Sequence, residues 1–136
     1  MATIIRGTTI DCDPATAWDA LADFGALHTR LAHGFVTDTH LESADIRAVT
    51  FFNGAVARER LVGVDEPARR LAYSVIDSGF NAAHHNAAAQ VFEAGPRRTR
   101  FVWTVDVLPD EVAEPMSRMM DAGLAAIKAT LESGGG

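Results

Sequence analysis

Glu59, Tyr73 and His85 are the residues of this chain whose types and placement could support chemistry. Each lies in a segment where apolar and polar residues alternate, so each takes a definite side of a strand. A carboxylate or an imidazole could remove a proton next to a carbonyl, while a phenolic hydroxyl donates to the enolate that develops. Used without chemistry, the same three groups would orient a small apolar molecule. A carboxylate taken out of water is costly without a partner, so a neighbour, water or a ligand must hydrogen-bond Glu59.

Parity chooses the face these residues share. Phe101, Trp103, Val105 and Val107 fall on one side of their segment, with Arg100, Thr104 and Asp106 on the other. The apolar set faces the core. By the same test His85, Ala87, Ala89 and Val91 point inward, as do Leu71, Tyr73 and Val75. Placing Arg58 and Arg60 in solvent sends Glu59, Leu61 and Gly63 inward. A hairpin through Asp65–Ala68 sets Glu59 opposite Tyr73 or Val75 and brings His85 to the same level, which predicts one lateral row of polar groups. Ala87, Ala89 and Gly63 are small for positions that face a helix, and unfilled volume is the consequence.

Seven strands are expected, at 3–10, 35–42, 46–52, 55–64, 70–77, 84–94 and 100–108, each bounded by Gly, Pro, Asn or Asp. After the first, Asp13 is placed to cap a helix that Pro14 begins, and Gly25 breaks that helix into two short ones. The last segment carries Val112, Met116, Met119, Met120, Gly123, Leu124, Ile127 and Leu131 at three- and four-residue steps, the pattern of a long amphipathic helix. Pro115 belongs in its first turn, where proline is tolerated. The expected class is α+β, with a seven-stranded antiparallel sheet curved around the C-terminal helix and two short helices after strand 1. One domain over residues 1–133 and a disordered tail over 134–136 complete the organisation. Beside the three polar groups, the expected ligand contacts are Phe101, Trp103, Val75, Ala87, Leu61, Met119, Met120, Gly123, Ile127 and His28.

Composition narrows the partners. The 136 residues carry a formal charge of -6, which disfavours nucleic acid and anionic membrane surfaces. No run approaches the ~18 apolar residues of a membrane span, and the N-terminus lacks a signal-peptide pattern, so the expected location is cytoplasmic. Cys12 is the single cysteine and reads as a small buried residue. No cofactor or metal is expected: His84 and His85 point to opposite faces of one strand, and His28, His33 and His40 have no regular ligand spacing.

The segments Asp13-Pro14-Ala15-Thr16-Ala17-Trp18-Asp19-Ala20-Leu21-Ala22-Asp23-Phe24, Arg58-Glu59-Arg60-Leu61, Leu71-Ala72-Tyr73-Ser74 and Thr99-Arg100-Phe101-Val102-Trp103-Thr104 together resemble the START-like, helix-grip (SRPBCC) superfamily. The likeness is to its polyketide cyclase/dehydrase branch, which is also similar to plant abscisic-acid receptors and the birch-pollen allergen. It implies a seven-stranded sheet gripping the last helix over an apolar cavity. It also implies ligand contacts at Glu59, Tyr73, His85, Ala87, Phe101 and Trp103. The chain departs from many relatives over Thr29–Gly34 and in carrying alanine at 87.

Three functions follow. The first is a carrier or sensor of a small hydrophobic molecule of polyketide-, lipid- or steroid-like type. The second is a cyclase or dehydratase that uses Glu59, His85 and Tyr73 as acid-base groups without metal. The third is a protein-interaction module, marked by an apolar outer sheet face at Val56, Val62, Val64, Val102 and Leu108 that would equally serve a homodimer.

Overall fold

The structure, a computed structural model, describes residues 2–79 and 82–134. Seven strands form one antiparallel sheet: β1 (Ala2–Ile10), β2 (Val36–Leu41), β3 (Ile46–Phe51), β4 (Val56–Asp65), β5 (Arg70–Asp77), β6 (His84–Glu93) and β7 (Thr99–Leu108). Their order is β1-β7-β6-β5-β4-β3-β2, so six strands run as a meander and β1 closes on β7. The turn between β3 and β4 contains Gly54 at φ +85, a conformation that glycine adopts without the penalty of a side chain.

Helix α1 (Pro14–Ala22) begins with Pro14 at its first position, as expected. Asp13 holds the N-cap position but its side chain makes no capping hydrogen bond, contrary to the sequence expectation. Proline's fixed φ and the backbone bond from Ala17 N–H to the Asp13 carbonyl set this turn instead. The second short helix is a single π-helical turn, Leu27–Leu31. The Trp18 indole donates to the Glu66 carboxylate at 2.6 Å, tying α1 to the β4–β5 turn.

Helix α2 (Ala113–Glu132) follows a 3₁₀ turn at Asp110–Val112, with Pro115 in its first turn. Its buried stripe of Met116, Met120, Gly123, Leu124, Ile127 and Leu131 joins Leu71, Val91, Phe101, Val105 and Val107 from the sheet in one apolar cluster. Each such large side chain contributes about 1.5–3 kcal/mol on leaving water, which holds helix and sheet together. On the opposite side of the sheet Val62 and Leu108 are exposed and Val102 is half-buried, whereas Val56, also exposed, lies at the cavity rim. Past the bulge in β4 the faces exchange: Val64 pairs with buried Leu71 and Gly63 with Ala72, so Val64 leaves the expected outer patch and Gly63, expected inward, does not share the core face. Of the expected tail, Gly134 forms a turn at φ +78, and 135–136 lie outside the described residues. No helix among the described residues is long and apolar enough to cross a membrane.

Register corrects one expectation. Glu59 pairs with Val75, whereas Tyr73 pairs with Leu61 on one side and Ala87 on the other. The three polar residues therefore occupy neighbouring rows rather than a single one. His85 sits two residues along β6 from Tyr73's partner and faces Val107 across β7. A β-bulge between Leu61 and Gly63 gives β4 an extra residue at its turn end, which decides where the polar rows fall.

Candidate functional site

Between the sheet and α2 lies a cavity of about 270 Å³. Glu59, Tyr73 and His85 line it, together with Val75, Phe101, Trp103, Met119, Gly123 and Ile127. Four other residues expected there do not. Met120, fully buried, and Ala87, a bare methyl, are taken up by close core packing. Leu61 sits half-buried beside the bulge. His28 lies on the π-helical turn, whose Leu27 and Leu31 reach the cavity in its place. Exposed lining residues Asn53, Ala55, Val56 and Gly79, in and beside the β3–β4 and β5–β6 turns, mark the open end.

The partner that Glu59 requires is Arg47, a residue that parity on β4 to β7 did not reach. Arg47 Nη2 and Nε donate to the same carboxylate oxygen, Glu59 Oε1, at 2.8 and 2.9 Å. Nη1 donates to the Phe24 carbonyl at 3.1 Å. The guanidinium also lies 4.1 Å from the Phe24 ring centre and 5.5 Å from that of Tyr73. Arg47 and Glu59 are only 5% and 6% exposed, so the pair is held out of water. Its signal was present in the sequence: a hairpin turning at Asn53-Gly54 pairs Thr50 with Val56 and Arg47 with Glu59.

Next to this pair, Trp103 Nε1–H donates to the Tyr73 hydroxyl at 3.1 Å. Burial raises the phenol's pKa well above its usual value, and the negative Glu59 adds to the effect while Arg47 opposes it. Tyr73 therefore stays protonated, and its own O–H has no acceptor among the described residues. Gly123 allows α2 to come down onto this aromatic floor. A Cβ there would stand 3.0 Å from the Trp103 ring and 3.1 Å from Phe35.

His85 is the remaining polar wall. Burial, helped by neighbouring His84, lowers its pKa from 6.5 to about 4, so the ring is neutral at pH 7. Its Nδ1 is buried without a hydrogen-bond partner. Neutral imidazole offers one donor and one acceptor, which suits either ligand orientation or proton abstraction. A stability consequence follows. Because the folded pKa is depressed, the unfolded chain takes up the proton first, and stability falls as pH drops from 6.5 to about 4. The full loss is about 3 kcal/mol. Urea midpoints across this range should show the wild type losing more than His85→Leu, and equal slopes would contradict a buried neutral ring.

Residues 1–132 match the model of a family described as polyketide cyclase / dehydrase and lipid transport. The chain belongs to that family. No functionally curated protein matches significantly. Among solved structures, the protein XoxI from Bacillus cereus aligns with TM-score 0.85 at 20% identity, covering 96% of this chain and 95% of that one. The Zhui aromatase/cyclase from Streptomyces sp. R1128 aligns at TM-score 0.79 and 18% identity, covering 96% and 93%. A START superfamily protein from Mycobacterium smegmatis gives 0.74 at 10% identity, covering 96% and 94%. Identities this low show the fold, which is the START-like helix grip that polyketide cyclase/dehydrase and lipid-transport proteins share.

Proposed function

We propose that the chain binds a small hydrophobic molecule in the cavity under α2 and acts as its carrier or sensor. The observation that carries this reading is the cavity itself, about 270 Å³ of space walled by aromatic and aliphatic side chains, on which Arg47, Glu59, Tyr73 and His85 converge. Ligand sites have this make-up, and their volumes run upward from about 300 Å³. A compact polyketide- or steroid-like ring system suits the space better than a long two-chain lipid. The lone cysteine, free and buried, and the acidic balance agree with a cytoplasmic setting and with no nucleic-acid partner, which belong to the same proposal.

The neutral fluorophore N-phenyl-1-naphthylamine should bind one to one and change Trp103 emission, and native mass spectrometry of the purified protein should show a co-purifying small molecule. Weak binding of several probe molecules to the outer surface, with no change at Trp103, would defeat the reading.

A second reading, a cyclase or dehydratase, is favoured by an unpartnered His85 Nδ1 and a Tyr73 hydroxyl with an available proton lining the same cavity. Glu59 is committed to Arg47, so His85 would take the proton next to a carbonyl and Tyr73 would donate to the enolate oxygen. Deuterium exchange into 2-tetralone, followed by NMR, tests it. Acceleration by the wild type that His85→Ala and Tyr73→Phe both lose supports the enzyme; no acceleration removes it.

A further inference from the structure

The charge state of the cavity is set by one contact. Among the described lining residues, Arg47 and Glu59 are the only ones that carry charge at pH 7, since His85 is neutral. The guanidinium spends two donors on Glu59 Oε1 and a third on the Phe24 carbonyl, with aromatic rings near its centre. A carboxylate or phosphate entering the cavity would lose its hydration and find no uncompensated cation to replace it. A neutral ligand carrying an oxygen acceptor would instead meet the Tyr73 hydroxyl, whose proton none of the described residues accepts.

We infer that Glu59 is a specificity-determining residue that works by masking Arg47, so that the cavity selects uncharged, oxygen-bearing ligands over anionic ones of the same shape. This rests on the ligand-binding reading above and deepens it. Glu59 then performs no proton transfer, and its removal exposes a buried cation. Glutamine keeps the size and one acceptor of glutamate but not the charge, so Glu59→Gln should turn an anion-rejecting cavity into an anion-accepting one.

The test is displacement of N-phenyl-1-naphthylamine at pH 7 by 2-acetonaphthone and by 2-naphthoate, near-equal in shape and different in charge. In the wild type the ketone should displace the fluorophore at a concentration at least about tenfold lower, a factor that one lost charge-stabilising contact readily produces. In Glu59→Gln the preference should vanish or reverse, through a gain by naphthoate rather than a loss by the ketone. A wild type that binds naphthoate as well as the ketone, or a ratio unchanged in the variant, overturns the inference and leaves the ligand-binding reading standing. No fluorophore binding to the wild type overturns both. Should Glu59→Gln fail to fold, the double variant Arg47→Met/Glu59→Leu, which removes both charges together, should keep the wild-type ratio. A steep further loss of naphthoate there would mean that Arg47 had been receiving anions all along, and the inference falls.

Discussion

Arg47→Met is expected to lower stability by about 3–5 kcal/mol, because it leaves the Glu59 carboxylate buried with no counter-ion. Domains of this size hold only about 5–15 kcal/mol in total, so the loss takes a large share of it. The melting temperature should fall by roughly 10 °C or more. Removing both partners is a different experiment. Arg47→Met/Glu59→Leu replaces the ion pair with hydrocarbon and should recover most of the loss, since burying two charges costs about what their attraction returns. Urea denaturation of both variants beside the wild type decides the matter. A single variant within about 1 kcal/mol of wild type would mean that the pair is solvated and behaves like an exposed one.

The second large effect concerns Gly123. Glycine inside a helix ordinarily costs about 1 kcal/mol relative to alanine, so its presence in the middle of α2 calls for a packing reason. The reason is the 3.0 and 3.1 Å approach of Trp103 and Phe35 to the point where a Cβ would stand. In Gly123→Leu the new side chain has only the cavity to enter. Fluorophore binding should therefore be lost, with a stability penalty of about 1–3 kcal/mol from overpacking. Circular dichroism and a thermal melt would show the variant folded, while the titration reads the lost site. Undiminished one-to-one binding in a folded Gly123→Leu protein would place the ligand somewhere other than beneath α2.

Both effects bear on how far the sequence can be read. Side-chain alternation sufficed to turn Phe101, Trp103, Tyr73, Glu59 and His85 toward the helix, because a strand buried on one face has only two choices. It failed for Arg47. In β3 the inward residues Arg47, Val49 and Phe51 are no more apolar than Ile46, Ala48 and Thr50, so hydrophobicity could not choose between the faces. The pairing Arg47 to Glu59 follows from the register through the Asn53-Gly54 turn, which alternation within a single strand does not supply. Leu27, Leu31 and Phe35 were missed as lining for a related reason: they sit on the π-helical turn and the segment after it, where no period of two applies. Met120 and Met119 show the limit on the helix side. Adjacent residues point about 100° apart, and only the actual crossing of α2 over the sheet sends Met119 to the cavity and Met120 into close packing.

By itself, then, the amino-acid order determined the elements of this protein, their antiparallel succession, the apolar stripe of α2 and the inward faces of β5, β6 and β7, because each is a local periodicity. Tertiary structure alone decided that the bulge at Leu61/Gly63 sets Glu59 against Val75, that Arg47 silences Glu59, and that Gly123 leaves the floor of the cavity to Trp103 and Tyr73. Those outcomes depend on the register between neighbouring strands and on the approach of α2 to the sheet, and ion pairing and close packing act only once the fold has brought the segments together.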